Sequence, residues 1–194
     1  MNTPSAHQLH LSIAEAGKLL ALKGNHTEAL QHYREALRLA VSAKAPEVFF
    51  RHYTQCVLES LELTDAYDEI IRFCQDADAH YAKLGLHSSL HRRDHGAVLE
   101  RLGLVYLKSG NPQAGREALQ KACEHAGAGV LPLSEELLGW LRRGFSIDKA
   151  RLLRSQQRHH YFVVRPDQVD GRRATPLSST PQSTVPDPAK ALTG

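Results

Sequence analysis

The feature that most constrains this chain is a turn that returns between long segments of helical apolar spacing. The first instance reads Gly24-Asn25-His26-Thr27-Glu28-Ala29-Leu30, followed by Tyr33 and Ala36. Another reads Gly110-Asn111-Pro112-Gln113-Ala114-Gly115, followed by Leu119 and Ala122. Between them lies a degenerate copy, Asp65-Ala66-Tyr67-Asp68-Glu69-Ile70, then Cys74 and Ala77. Upstream, Ala16-Gly17 with Leu20 matches Leu102-Gly103 with Tyr106, and more weakly Val57-Leu58 with Leu61. Gly17 and Gly103 let two helices approach closely, and Ala29, Ala36 and Ala122 are small for the same reason. Tyr33, Cys74 and Leu119 fill the space between successive pairs. One helix pair alone cannot bury its apolar face, but stacked neighbours can.

The spacing predicts a helix over residues 9–23 and, after Asn25 as N-cap with Glu28 in a capping-box position, a second through Ala40. Pro46 opens a third, which carries Phe49, Phe50, Tyr53, Val57, Leu58 and Leu61. Asp65 caps a fourth through Tyr81, and Gly85 is a left-handed stop. Ser88 or Ser89 starts a long fifth helix ending near Ser109. Asn111 caps a sixth, with Pro112 at its first position, running to about Ala126. Two shorter helices follow, Ser134 to about Arg143 and Ser146 to Arg158. Tyr161-Phe162-Val163-Val164 is β-prone, and its state is left open, including that of a strand added to another protein's sheet edge. From Pro166 the chain is rich in Pro, Ser and Thr and is read as disordered.

This pattern resembles the tetratricopeptide repeat (TPR) family over about residues 10–129, specifically in the first and third helix pairs. The equivalent turns are 41 and 45 residues apart, longer than the usual repeat of about 34, which points to lengthened helices. The resemblance implies an all-α fold: a right-handed solenoid of about three TPR-like helical hairpins, C-terminal capping helices and a disordered tail. The corresponding division is 1–130 repeat domain, 131–165 capping and basic helices, and 166–194 tail. Trp140 is expected to cover the end of the third repeat. The resemblance also implies a protein or peptide partner held on the concave face by the first helix of each pair. That face would present Ala14, Lys18, Leu22, His52, Gln55, Glu59, Glu62, Glu100, Leu104 and Lys108. The carboxylate clamp of chaperone-binding members is absent, because Lys18 falls where the clamp has Asn and Ala14 where it has Lys.

Charge adds a second candidate surface. Residues 1–141 hold 14 Lys and Arg against 17 Asp and Glu, whereas residues 142–173 hold nine basic residues against three acidic ones. Arg142, Arg143, Arg151, Arg154 and Arg158 form a basic docking segment suited to nucleic acid or an acidic partner, although it carries no helix-turn-helix signature. A solvated helix face is the plainer reading of the same charges.

Other chemistry is poorly supported. Cys56, Cys74 and Cys123 form no CxxC pair and read as reduced cytosolic thiols, so a cytoplasmic location is expected. His87, His91 and His95 recur at every fourth residue, but without HExxH or a third-ligand cluster they read as a solvated or groove-lining face, with no metal. No nucleophile elbow, P-loop or dinucleotide fingerprint is present. No run of eighteen apolar residues exists, so no membrane span is expected. The expectation is therefore a non-enzymatic, cofactor-free interaction module, an adaptor or assembly chaperone, with homo-oligomers possible through exposed solenoid ends.

Overall fold

A computed structural model describes residues 6–85 and 88–177 of the 194. The described residues are helical, without strands: α1 (Ala6–Leu22), α2 (His26–Ser42), α3 (Glu47–Leu63), α4 (Tyr67–Leu84), α5 (Ser89–Lys108), α6 (Pro112–Ala126), α7 (Pro132–Arg142) and α8 (Lys149–Arg158). Two short 3-10 turns, Pro166–Gln168 and Gly171–Arg173, follow. The chain forms two compact units. One comprises Met1–Asp65 with Phe162–Gly194, the other Ala66–Tyr161.

The three recurrent turns share one backbone device. Gly24 (φ 82°), Asp65 (φ 59°) and Gly110 (φ 84°) all adopt the left-handed conformation that ends a helix. Asn25 and Asn111 then donate their N–H groups back to Leu20 O (2.9 Å) and Tyr106 O (2.8 Å), closing the ends of α1 and α5. This corrects two of the expected caps. Asp65 forms the left-handed turn itself, so Ala66 takes the N-cap position of α4. Asn25 makes no side-chain cap bond. Ser88 and Asn111 do cap α5 and α6, accepting N–H bonds from His91 and Ala114.

In the first unit α1 and α2 pack as a hairpin. A Cβ added to Gly17 would stand 2.8 Å from the Tyr33 ring, so only glycine admits this approach. Ala29, Ala36 and Ala40 are fully buried on α2. α3 packs on α2 and carries Tyr53, whose hydroxyl is 2.7 Å from His10 Nδ1.

In the second unit α5 and α6 form the corresponding hairpin. A Cβ on Gly103 would meet Leu119 at 2.7 Å, and one on Gly115 would meet Leu107 at 2.8 Å. Leu104, Leu107, Leu119, Leu133, Leu137 and Leu152 make one core, into which α7 and α8 contribute the last three. Trp140 packs against that core, as a cover for the third repeat would, and Arg151 lies over its ring at 4.1 Å. α7 begins at Pro132, two residues before the expected start, and α8 at Lys149, with the Asp148 carboxylate capping the Arg151 N–H at 2.7 Å.

The segment from 166 onward departs from the sequence reading. Residues 162–177 are placed, and they lie on the first unit. Residues 178–194, the remainder of the expected tail, lie outside the described residues. The physical reason is that the segment's backbone N–H groups find acceptors on α1, α2 and α3. A side-chain composition reading carries no trace of such bonds.

Candidate functional site

The site is built from α1 and α3 in the first unit. Heptad-like spacing puts Glu15 and Lys18 on one face of α1, and His52, Cys56 and Glu59 at four- and three-residue steps on α3. Lys18 is buried and paired to Glu15 Oε1 at 2.8 Å. His52 Nε2 lies 3.9 Å from Cys56 Sγ. Burial, followed by the Lys18 charge, pushes the His52 imidazole down to about 4, so it is neutral near pH 7. Burial, together with the Glu59 charge, pushes the Cys56 thiol up to about 12, which leaves it unreactive. The Tyr33 phenol is pushed up by burial and by Cys56, Glu59 and Glu15. Its hydroxyl has no hydrogen-bond partner among the described residues.

The decisive geometry is a row of acceptors. Glu59 is only 2% exposed, and its two carboxylate oxygens accept the backbone N–H groups of Val163 and of Val164, the latter at 3.1 Å. Glu15 Oε2 accepts the Asp170 N–H at 3.0 Å. The Ser12 carbonyl accepts the Thr175 N–H at 3.0 Å. His32 Nε2 accepts the Leu177 N–H at 3.2 Å, while its Nδ1 donates to the Glu28 carbonyl at 2.8 Å, which fixes the tautomer. The segment therefore passes from α3 to α1, follows α1 antiparallel from Glu15 to Ser12, and ends on α2.

The expected groove residues separate accordingly. Lys18, Leu22, His52, Gln55 and Glu59 belong to the first unit; Leu22 is exposed, and His52 and Gln55 are half-buried. Glu100, Leu104 and Lys108 belong to the second unit, and all three are buried. Leu104 is a core residue under α7 and α8, not a groove surface. Glu100 Oε2 accepts both the N–H (3.2 Å) and the hydroxyl (2.6 Å) of Ser134, capping α7 from a distance. Burial raises the Glu100 carboxyl, although the Ser134 bonds pull the other way. Sequence reasoning missed Glu15 and Ser12. Glu15 was readable only as a surface acid three residues before Lys18.

The basic segment is partly committed. Arg158 and His159 both engage Glu136, the His159 contact at 2.6 Å. Burial acts to raise the Glu136 carboxyl, but those hydrogen bonds outweigh it and hold the group below its ordinary value. Arg151 lies over the Trp140 and Phe145 rings, and Arg143 over Phe145 at 5.3 Å. Arg142, Arg143 and Arg154 are exposed.

The histidine series also separates. His91 bonds Ser88 Oγ at 2.5 Å. His95 turns to Asp78 at 2.5 Å, stacks on Tyr81, and has the His125 ring centroid 4.2 Å away. His87 lies outside the described residues.

Residues 97–125, the latter half of α5 through nearly all of α6, match the family model for the tetratricopeptide repeat. The chain carries a tetratricopeptide repeat. The matched TPR segment includes the Gly103–Leu119 approach and the left-handed turn at Gly110, the two features that set its hairpin geometry. A TPR is a protein–protein interaction module, and that is the coarse function it brings to the chain. No curated protein and no solved structure matches the chain at a significant level. Among the described residues, no helix is long and apolar enough to cross a membrane.

Proposed function

We propose that the protein is a non-enzymatic TPR-like interaction module, a small cytoplasmic adaptor or assembly chaperone. It holds an extended partner segment on the first unit, over Glu15, Lys18, His52, Gln55 and Glu59. One observation carries this reading: acceptors on α1 and α3 engage a segment of the protein's own chain through its backbone N–H groups, a contact that a partner's main chain can make as well. The high thiol pKa of Cys56 and the neutral His52 favour binding over nucleophilic chemistry at the same place. A photo-cross-linking residue at Gln55, with a control on the exposed face of α6 at Glu117, tests it in the native cell. One dominant protein adduct at position 55 and none at 117 is the expected result. Equal adducts at both positions refute the groove.

A second reading is favoured by Phe145, which is 47% exposed and flanked by Arg143 and Arg151. An arginine–aromatic face of this kind suits nucleic acid or an acidic protein. Neutralising Arg142, Arg143 and Arg154 together then weakens binding and flattens its dependence on salt. Binding that is indifferent to salt in the unaltered protein rules this reading out.

A further inference from the structure

We propose that residues 163–177 are a built-in occupant of the first unit's groove, and that a partner's extended segment gains access by displacing them. This rests on the interaction reading above. Five hydrogen bonds between this segment and the helices are donated by backbone N–H groups: Val163 and Val164 to Glu59, Asp170 to Glu15, Thr175 to the Ser12 carbonyl, and Leu177 to His32. These acceptors read main chain, and a non-helical segment that presents N–H groups in the same arrangement, with turns like those at Pro166–Gln168 and Gly171–Arg173, satisfies them.

Of the segment's charged groups, Arg172 stands clear of the groove. Arg172 pairs with Asp170 within the segment at 3.0 Å and remains 92% exposed. Arg165 pairs with Asp167. The segment's hydrogen bonds to the groove given above are made at the backbone, and Gly171 lies close to Leu19. Such an occupant is replaceable by another chain that brings backbone N–H donors to the same acceptors. Removing it takes two N–H donors from the Glu59 carboxylate, and an incoming segment that presents two N–H groups restores them. The ligand class that fits is an extended protein segment with two successive non-proline residues at Glu59. A free partner competes against a tethered one, which holds an advantage in effective concentration. Weak ligands are therefore excluded.

The test uses the full-length chain. The triple variant Val163→Pro/Val164→Pro/Asp170→Pro removes three of the donors and leaves α1–α3 unchanged. Trypsin reports release through Arg172 and Arg173; the Arg165–Pro166 bond is resistant. The expected result is cleavage at these two sites at least tenfold faster than in the unaltered protein, at equal helicity by circular dichroism. A labelled synthetic peptide of residues 161–177 then binds the variant at least tenfold more tightly than the unaltered chain. Glu59→Gln, made from the groove side, also releases the segment but loses affinity for the peptide. Equal cleavage rates overturn the occupancy, and equal peptide affinity, or none for either protein, overturns the groove as a receptor. Both readouts use only this chain. They therefore stand or fall separately from the cross-linking search for a cellular partner.

Discussion

Gly103 and His52 illustrate how much a single position holds. A Cβ at Gly103 would lie 2.7 Å from Leu119 and 3.0 Å from the Gly115 carbonyl, and Leu119 is fully buried with nowhere to retreat. Gly103→Ala is therefore expected to cost about 1–3 kcal/mol, the range for overpacking, read as a lower urea midpoint with an unchanged slope. His52 acts through protons. Its folded pKa, about 4, lies below the ordinary 6.5, so on acidification the unfolded chain takes up a proton first. Stability linked to this group is complete above about pH 6.5 and is lost as pH falls toward about 4. His52→Gln should remove that slope, a change of about 1–2 kcal/mol once its partial exposure is allowed for. Urea unfolding at a series of pH values measures it, and a slope equal to that of the unaltered protein contradicts the assignment.

At the level of elements, α7 shows a helix start supplied from elsewhere. Its N-cap residue is Leu131, which has no side-chain acceptor, and Glu100 on α5 takes both Ser134 donors instead. Glu100→Ala leaves those buried donors without that acceptor, with an expected loss of about 1–3 kcal/mol. Glu100→Gln keeps one acceptor oxygen and loses less. Thermal melts of the two variants, followed by Trp140 fluorescence, give the order. This element also marks the limit of what the sequence discloses. The α1/α2 and α5/α6 hairpins were legible because Gly17, Gly103 and the alanines beside them act locally, at helical spacing. Glu100 and Ser134 are 34 residues apart, so each was assigned a separate role from its own neighbours. The Glu59–Val163 bond spans 104 residues and uses a backbone N–H, which every residue but proline has. Of the expected groove residues, Lys18, His52, Gln55 and Glu59 lie in the first unit and Leu104 in the second unit's core, and helical periodicity alone does not tell a concave face from a core under α7 and α8.

For the whole molecule, the division into two units makes a prediction about melting. Trp140 is the single tryptophan and lies in the second unit. A chain ending at Tyr161 should keep its Trp140 fluorescence transition while its circular dichroism melt begins at a lower temperature, because the hydrogen bonds described for residues 163–177 are made to the first unit. A matching fall in both signals contradicts that independence. The first unit is also discontinuous in the chain, since α1–α3 end by Asp65 and the segment that lies on them closes at Leu177. During synthesis, the helices are made 112 residues before that segment is complete. At a ribosomal rate of about 5–20 residues per second, the delay is about 6–22 s. Each newly made molecule thus passes once through an interval in which Glu15 and Glu59 face the cell before their own chain reaches them. On the displacement proposed above, a partner present at the ribosome would meet them then without a competitor.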